Sequence, residues 1–152
     1  MQRKLFGFVC LFALLMLVFP WSVAADDAKK ELDKFQGTWT SVSYEIGGTK
    51  IEGDDLRAVV SSIVFKESAF EWKSGQSSSE KGLIKIDVSK DPKHIDFVYE
   101  SDTGTKTTAW VGIYSIEGDT FKLCVRPGMG DRPKDFSTMN VIYGVFTFKR
   151  AK

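Results

Sequence analysis

Apolar and polar residues alternate in short runs along most of the chain after residue 36, and turn residues separate the runs. Ile63 and Phe65 share one side of such a run, as do Phe121 and Leu123, whereas Lys122 points to the other side. A period of two with one apolar face is typical of half-buried β-strands. The pattern predicts eight main strands, over residues 38–46, 63–66, 69–73, 79–87, 94–99, 107–116, 120–125 and 140–150, of which the last is the longest.

Tight turns join most of these strands, and Glu117-Gly118-Asp119 is a good hairpin signal. Strands that follow one another in this way form an antiparallel up-and-down meander. A meander of this size hides its edges best by closing into a barrel. A β-sandwich is the alternative, but it usually needs longer crossover connections than this chain contains. We therefore expect an all-β, antiparallel up-and-down barrel of about eight strands.

A short helix is predicted over residues 26–35, before the first strand. Asp26 or Asp27 can cap it, and Leu32 and Phe35 lie three residues apart on one face. Gly37 is expected to end it, and Gly47-Gly48 to end the strand that follows.

Residues 54–60 are the one later segment with a helical pattern. Asp54 and Asp55 precede Leu56, Val59 and Val60, which suggests a capped amphipathic turn. The β-branched pair Val59-Val60 favours the alternative, in which the next strand begins early.

The first 25 residues carry the pattern of a secretory signal peptide. Arg3 and Lys4 precede an apolar run at residues 5–19, and Val23-Ala24-Ala25 offers a small-residue cleavage site before Asp26. The run is about 15 residues long, shorter than the roughly 20 that span a bilayer. We expect cleavage after Ala25, which would place the domain at residues 26–152 in the periplasm or outside the cell. An uncleaved anchor is the alternative.

Removal of residues 1–25 leaves 127 residues, the size of one domain. The removed segment contains two of the 21 basic residues and none of the 20 acidic ones, so the remaining net charge is near −1. Such a chain has no basic field to hold nucleic acid or an anionic membrane. We expect neither nucleic-acid binding nor stable membrane insertion after cleavage.

Few residues suggest catalysis. His94 is the only histidine and has no partners at metal-ligand spacing, so we expect a solvated surface residue. Composition leaves a Ser/His/Asp site open, although no Gly-x-Ser-x-Gly elbow supports one. No pair of catalytic carboxylates stands out either. We expect no enzymatic activity, no metal and no cofactor.

Cys124 is the only cysteine outside the predicted signal peptide, so it has no partner for an internal disulfide. It lies on the same side of its strand as Lys122, which is the outward side. We expect a helix or loop to cover it, and a redox role is the alternative.

The first and last predicted strands carry related features. Gly37-Thr38-Trp39 opens the first strand, and Arg150 ends the last strand on the same face as Phe146 and Phe148. This resembles the lipocalin-like arrangement, in which a Gly-x-Trp tryptophan covers one end of the barrel and a basic side chain packs on its ring. The resemblance implies that Trp39 and Arg150 close one end through a contact worth roughly 0.5–2 kcal/mol.

A wider resemblance covers most of residues 32–150. Its motifs occur in order along the chain: Gln36-Gly37-Thr38-Trp39, DVSKDPKHID at residues 87–96, GIYSIEGD at residues 112–119, Leu123-Cys124, and Arg132-Pro133 with Phe136. They resemble an uncharacterised secreted domain family abundant in planctomycete bacteria, which has a lipocalin-like barrel. The resemblance implies fold and export but no activity. Leu83-Ile84 lacks the aromatic residue of that family, which implies a differently shaped interior.

Aromatic residues are abundant, and they either line a pocket in the barrel or fill it, because an eight-stranded barrel has room for packed side chains or one small ligand. Strands alternate in direction, so the long loop at residues 127–137 should lie at the end opposite Trp39. We expect a ligand to enter there, with the 54–60 turn nearby and with Trp110, Tyr114 and Phe136 as wall and rim.

These observations favour non-enzymatic binding of a small, largely apolar ligand at one open end of the barrel. The alternative is an interaction module of the cell envelope, with a filled barrel and an active outer surface. An enzyme is the third class.

Overall fold

The computed structural model describes residues 22–75, 78–100, 103–128 and 130–152. Residues 1–21 of the predicted signal peptide therefore lie outside the described residues. The described part of the chain forms two helices and nine strands: α1 Ser22–Phe35, β1 Gly37–Ile46, β2 Thr49–Ile51, α2 Gly53–Val59, β3 Ser62–Lys66, β4 Ala69–Ser74, β5 Ser78–Asp87, β6 Lys93–Glu100, β7 Lys106–Glu117, β8 Thr120–Pro127 and β9 Gly144–Arg150.

The nine strands form one antiparallel sheet in the order β2-β1-β3-β4-β5-β6-β7-β8-β9, and β1 also pairs with β9. The β1–β9 ladder runs from Trp39 opposite Arg150 to Glu45 opposite Val145. This pairing closes β1 and β3 to β9 into an eight-stranded barrel, and β2 is an additional strand on β1. The fold is therefore the all-β antiparallel barrel expected from the sequence, with a helix before it, rather than a sandwich.

The two ends of the barrel differ in their connections. At one end, short connections join β3 to β4, β5 to β6 and β7 to β8, and α1 leads into β1. We call it the Trp39 end, because Trp39 lies at the start of β1. The other end, which we call the α2 end, carries β2, α2 and the long 128–143 connection between β8 and β9. The long loop thus leaves the barrel opposite Trp39, as expected.

The inward sides of the strands form an aromatic-rich core. The faces predicted by alternation are buried there, including Ile63 and Phe65 on β3 and Phe121 and Leu123 on β8. Centroids of contacting rings lie between 4.4 and 6.0 Å apart, which is the range of favourable offset and edge-to-face contacts.

A second, smaller core lies outside the barrel wall. Ile113, Cys124 and Val145 are buried on the outward sides of β7, β8 and β9, and Phe136 and Tyr143 from the 128–143 connection pack on them. A loop thus covers Cys124, as the sequence predicts. Burial raises the pKa of its thiol to about 11, so the reactive thiolate is disfavoured at neutral pH.

Arg132 anchors the 128–143 connection to the wall. Its Nη1 donates to the carbonyl oxygens of Ile95 and Gly112 at 2.9 and 2.6 Å, and its Nη2 donates to Asp96 Oδ1 at 2.6 Å. A half-buried guanidinium shared by two strands holds the loop against the outer faces of β6 and β7.

The last strand is shorter than the sequence predicts. β9 begins at Gly144 instead of residue 140, and β7, with 12 residues, is the longest strand. Residues 138–140 bond to the β1–β2 turn instead: the backbone N of Gly48 donates to Thr138 O at 2.7 Å, and that of Gly47 to Asn140 O at 3.4 Å. These bonds hold the chain away from β8, so pairing with β8 starts only at Gly144.

Both predicted helices form, but neither is capped by the expected residues. α1 begins before Asp26 and Asp27, which therefore lie within it. Glu52 occupies the N-cap position of α2 without a side-chain cap, and Asp54 and Asp55 lie in the first turn. There the carboxylates still interact favourably with the positive end of the helix dipole.

Gly47-Gly48 does more than end the first strand. The two glycines form the turn of a β1–β2 hairpin in which Ile46 pairs with Thr49. Their φ angles are +57° and +74°, the left-handed conformation that a two-residue type I′ hairpin turn requires.

Candidate functional site

The Trp39 end is sealed by side chains from β1, β9 and α1. Trp39 is fully buried, and its Nε1 donates to the carbonyl oxygen of Phe35 at 2.6 Å. The Arg150 guanidinium lies 4.1 Å from the centre of the Trp39 ring. It also donates to the carbonyl oxygens of Gln36 and Lys34 at 2.6 and 2.9 Å. The contact implied by the lipocalin resemblance is present, and Arg150 satisfies carbonyls at the C-terminal end of α1 as well.

A buried ion-pair group holds α1 over the same end. Glu31 is only 5% exposed, and its carboxylate accepts from Lys93 Nζ at 2.6 Å and from Lys34 Nζ at 2.8 Å. Burial opposes the charged form, but the hydrogen bonds and charges of the two lysines outweigh it, so the pKa of Glu31 lies below its usual value. The pair with Lys93 ties α1 to the start of β6.

Tyr114 was expected at the α2 end, as part of the ligand site, but it lies at the Trp39 end. Its ring centroid is 4.9 Å from that of Phe35, and the residue is 1% exposed. The reason is the direction of β7, which runs from the α2 end towards the Trp39 end and has Tyr114 in its second half. Burial, with the Glu31 carboxylate nearby, raises the pKa of the Tyr114 hydroxyl.

Aromatic rings line the inside of the barrel at the α2 end. The Trp110 and Trp72 centroids are 5.8 Å apart, Trp72 lies 5.2 Å from Phe146, and Tyr44 stacks on Phe146 at 4.4 Å. Tyr44, Tyr99 and Trp110 pack against the core but are only half-buried. We call Tyr44, Trp72, Tyr99 and Trp110 the aromatic mouth. Of the three predicted ligand-binding residues, Trp110 alone belongs to it.

Tyr99 provides a polar contact of the aromatic mouth. Its hydroxyl donates a hydrogen bond to the Glu80 carboxylate, and its ring centroid lies 5.6 Å from that of Phe70. Burial and the carboxylate raise the pKa of the Tyr99 hydroxyl, so it remains a donor at neutral pH. Burial likewise raises the pKa of Tyr44.

The interior beneath the aromatic mouth is filled. Phe65, Phe97 and Phe146 are no more than 3% exposed, and Trp72 of the mouth itself is 8% exposed. α2 adds the buried side chain of Leu56 to the core from the same end. A ligand at this end would therefore contact the half-buried rings of the mouth and not the centre of the barrel.

Phe136 lies on the outer wall, in the second core, with Lys122 Nζ 5.1 Å from its ring centre. A cleft of about 830 Å³ does open beside the long loop, but residues of the 128–143 connection line it, so it lies outside the barrel. A smaller cleft of about 300 Å³ runs between residues 91–93 and 114–117 near Phe136. Tyr114 and Phe136 both line this smaller cleft, whereas Trp110 lies at the α2 end of the barrel, so the three predicted residues do not form one site.

His94 lies at the start of β6 and is half-buried rather than fully solvated. Burial and the neighbouring Arg132 lower the pKa of its imidazole, which favours the neutral form at pH 7. Across the described residues, no three His, Cys, Asp or Glu side chains come together in a way that could hold a metal ion. Neither α1 nor α2 combines the length and the apolar character that a bilayer-crossing helix requires.

No family model matches the chain, and no curated protein and no solved structure matches it either. The resemblance to a secreted planctomycete-type domain family therefore remains a prediction from the sequence motifs. The function of the protein has to be inferred from the geometry of this chain alone.

Apart from Trp110, the residues at the aromatic mouth were not predicted as site residues from the sequence, and Tyr44 and Glu80 are the two most informative cases. Tyr44 has the same parity along β1 as the outward Thr38 and Thr40, but a register shift between Ser41 and Ser43 turns it inward, opposite Phe146. Glu80 did carry a signal, because it lies an even number of residues before the inward-facing Ile84 on β5.

Proposed function

We propose that residues 26–152 form an extracytoplasmic, lipocalin-like module that binds a small, largely apolar ligand at the aromatic mouth and catalyses no reaction. One observation carries the proposal: the inward-facing rings at the Trp39 end are buried, whereas three rings at the α2 end, Tyr44, Tyr99 and Trp110, are only half-buried. Trp39 and Tyr114 are 0% and 1% exposed, whereas Tyr44, Tyr99 and Trp110 keep part of their surface open.

Exposed aromatic surface on an inward wall favours binding of an apolar molecule. Covering such surface contributes about 25 cal/mol per Å², and rigid rings lose little conformational entropy on binding. Because the core beneath is packed, the fitting ligand is small and lies across the mouth. A few polar groups then orient it, and the Tyr99–Glu80 pair is placed to do so.

Export is supported by the apolar segment at residues 5–19, which precedes a small-residue site. Cleavage after Ala25 would fall within α1, before Glu31, Leu32 and Phe35, which hold that helix on the barrel. The shortened helix would begin at Asp26, where negative charge is favourable. The barrel contacts would therefore survive cleavage.

A neutral apolar dye tests the proposal. N-phenyl-naphthylamine gains fluorescence on entering an apolar site, and we expect it to titrate the folded protein saturably. If Trp110→Ala removes about 40–60 Å² of ring contact, the loss at about 25 cal/mol per Å² weakens dye binding roughly five- to twelvefold. Tyr143→Ala is the matched control, since this ring packs on the outer wall. An equal loss of dye affinity in both variants, or the absence of saturable dye binding to the wild-type protein, would refute the proposal.

A second candidate, the envelope interaction module, is favoured by a different observation. Met139 and Val141 are 77% and 75% exposed, and Ile142 is 50% exposed, on the loop segment beside the β1–β2 turn. Clustered exposed apolar residues often mark protein contacts. If the dye does not bind, and a Met139→Ser/Val141→Ser variant loses partners that immobilised wild-type protein retains from an envelope fraction, this function replaces the first.

A further inference from the structure

We infer that the ligand of the aromatic mouth is a small organic cation with an apolar body, such as a protonated amine or a quaternary ammonium, whose charge lies between the Glu80 carboxylate and the rings. The inference rests on the proposed function and adds the chemical class of the ligand.

Glu80 is an exposed residue near the start of β5, at the α2 end, and its side chain is on the inward-facing side of the strand. It pairs directly with Trp72 across β4 and β5, and the next inward pair is Phe70 with Gly82. Residues opposite each other in an antiparallel pair share one face of the sheet. Further along β5, Ile84 lies in the core with the same parity. The carboxylate of Glu80 is therefore attached to the same face as the rings of the aromatic mouth.

Glu80 has no cationic partner within the described part of the chain. Its carboxylate accepts the hydrogen bond from Tyr99. Glu71, one residue from Trp72 on the outer face of β4, has Lys81 Nζ 3.8 Å from its Oε1. Carboxylates on the two faces of the same strand pair thus differ: the outer one has a lysine nearby and the inner one does not.

Aromatic rings complete a site for a positive charge. Tyr99 holds the carboxylate, and Trp72 and Trp110 lie 5.8 Å apart on the same inner wall. A cation over a ring face is attracted by the quadrupole of the ring, most strongly for tryptophan. An anion would instead face a carboxylate and the negative faces of rings. The mouth therefore discriminates by charge as well as by apolar surface.

Three probes with the same ten-carbon tail test the charge preference: decyltrimethylammonium, decyl maltoside and decyl sulfate, each below its micelle concentration. Isothermal titration should show the cation binding most tightly and the sulfate most weakly. Glu80→Gln should weaken binding of the cation about three- to tenfold and change binding of the maltoside by less than about twofold. Glu71→Gln, the matched outer carboxylate, should change neither.

A salt titration of the wild-type protein gives a test that needs no variant to fold. Raising the salt concentration from about 0.05 to about 0.5 M should weaken binding of the cation and leave binding of the maltoside nearly unchanged. Equal affinity of cation and maltoside, with no effect of salt or of Glu80→Gln, overturns the charge preference and leaves the proposed apolar site intact. Failure of all three probes to bind overturns both the charge preference and the proposed apolar site.

Discussion

Replacing Arg150 tests how the Trp39 end is held closed. The guanidinium makes a cation–π contact with Trp39, worth about 0.5–2 kcal/mol, and two charge-assisted bonds to the carbonyl oxygens of Gln36 and Lys34. Its contact with Asp119 at 3.4 Å involves an exposed carboxylate and adds little. Since each bond to a charged group contributes about 1.5–3 kcal/mol and Arg150 is half-exposed, we expect Arg150→Ala to cost about 2–4 kcal/mol.

Urea unfolding of the purified domain, followed by far-ultraviolet circular dichroism, measures this loss. Arg150→Lys keeps the charge but not the planar guanidinium, so it should lose about half as much free energy of unfolding as Arg150→Ala. Lys149→Ala is the control, because Lys149 is exposed and its Nζ donates a hydrogen bond to Thr120 Oγ1 at 2.6 Å. A double-mutant cycle with Trp39→Phe should give a coupling of about 0.5–1.5 kcal/mol. Zero coupling, or equal losses for Arg150→Ala and Lys149→Ala, would refute the reasoning.

Three further predictions concern groups elsewhere in the chain. The folded pKa of Glu31 is lowered, so its ion pair with Lys93 stabilises the fold above the ordinary carboxyl pKa and is lost as the pH falls through the folded pKa. Glu31→Gln should therefore cost about 1–3 kcal/mol at pH 7 and progressively less in acid, as urea melts at several pH values can check. The Cys124 thiol, buried with a pKa of about 11, should resist Ellman's reagent in the folded protein and react after unfolding in urea. Rapid reaction of the folded protein would show that the 128–143 connection does not cover Cys124. N-terminal sequencing of the exported protein should begin at Asp26, and retention of Met1 in a membrane fraction would show an uncleaved anchor instead.

The barrel could be predicted because its determinants are local. Alternation assigns Ile63 and Phe65, or Phe121 and Leu123, to one face without knowledge of distant residues. Short turns then pair each strand with the next, and closure satisfies the two edges that a meander leaves open. The Trp39–Arg150 contact was implied by the lipocalin-like resemblance, and it forms because the first residues of β1 and the last of β9 meet when the barrel closes.

The site was harder to predict because it depends on direction, bulges and loop contacts. Tyr114 could have been assigned to the Trp39 end by following the direction of β7. The inward turn of Tyr44 depends on a one-residue shift that the alternation does not reveal. The return of Phe136 to the outer wall depends on bonds from Arg132 to Ile95 and Gly112, which are distant in sequence.

The two ends of the barrel should respond differently to the same substitution. Trp39 is fully buried and bonded to Phe35, so Trp39→Ala leaves a cavity and should cost about 3–5 kcal/mol. Trp110 is half-buried, with its ring centroid 5.8 Å from that of Trp72, so Trp110→Ala should cost less, about 1–2 kcal/mol. Dye binding should show the reverse order, because Trp110 lies in the aromatic mouth and Trp39 lies at the sealed end. Urea melts and dye titrations on the same two variants compare both properties, and a Trp110→Ala variant that unfolds as readily as Trp39→Ala would show that the mouth is part of the structural core.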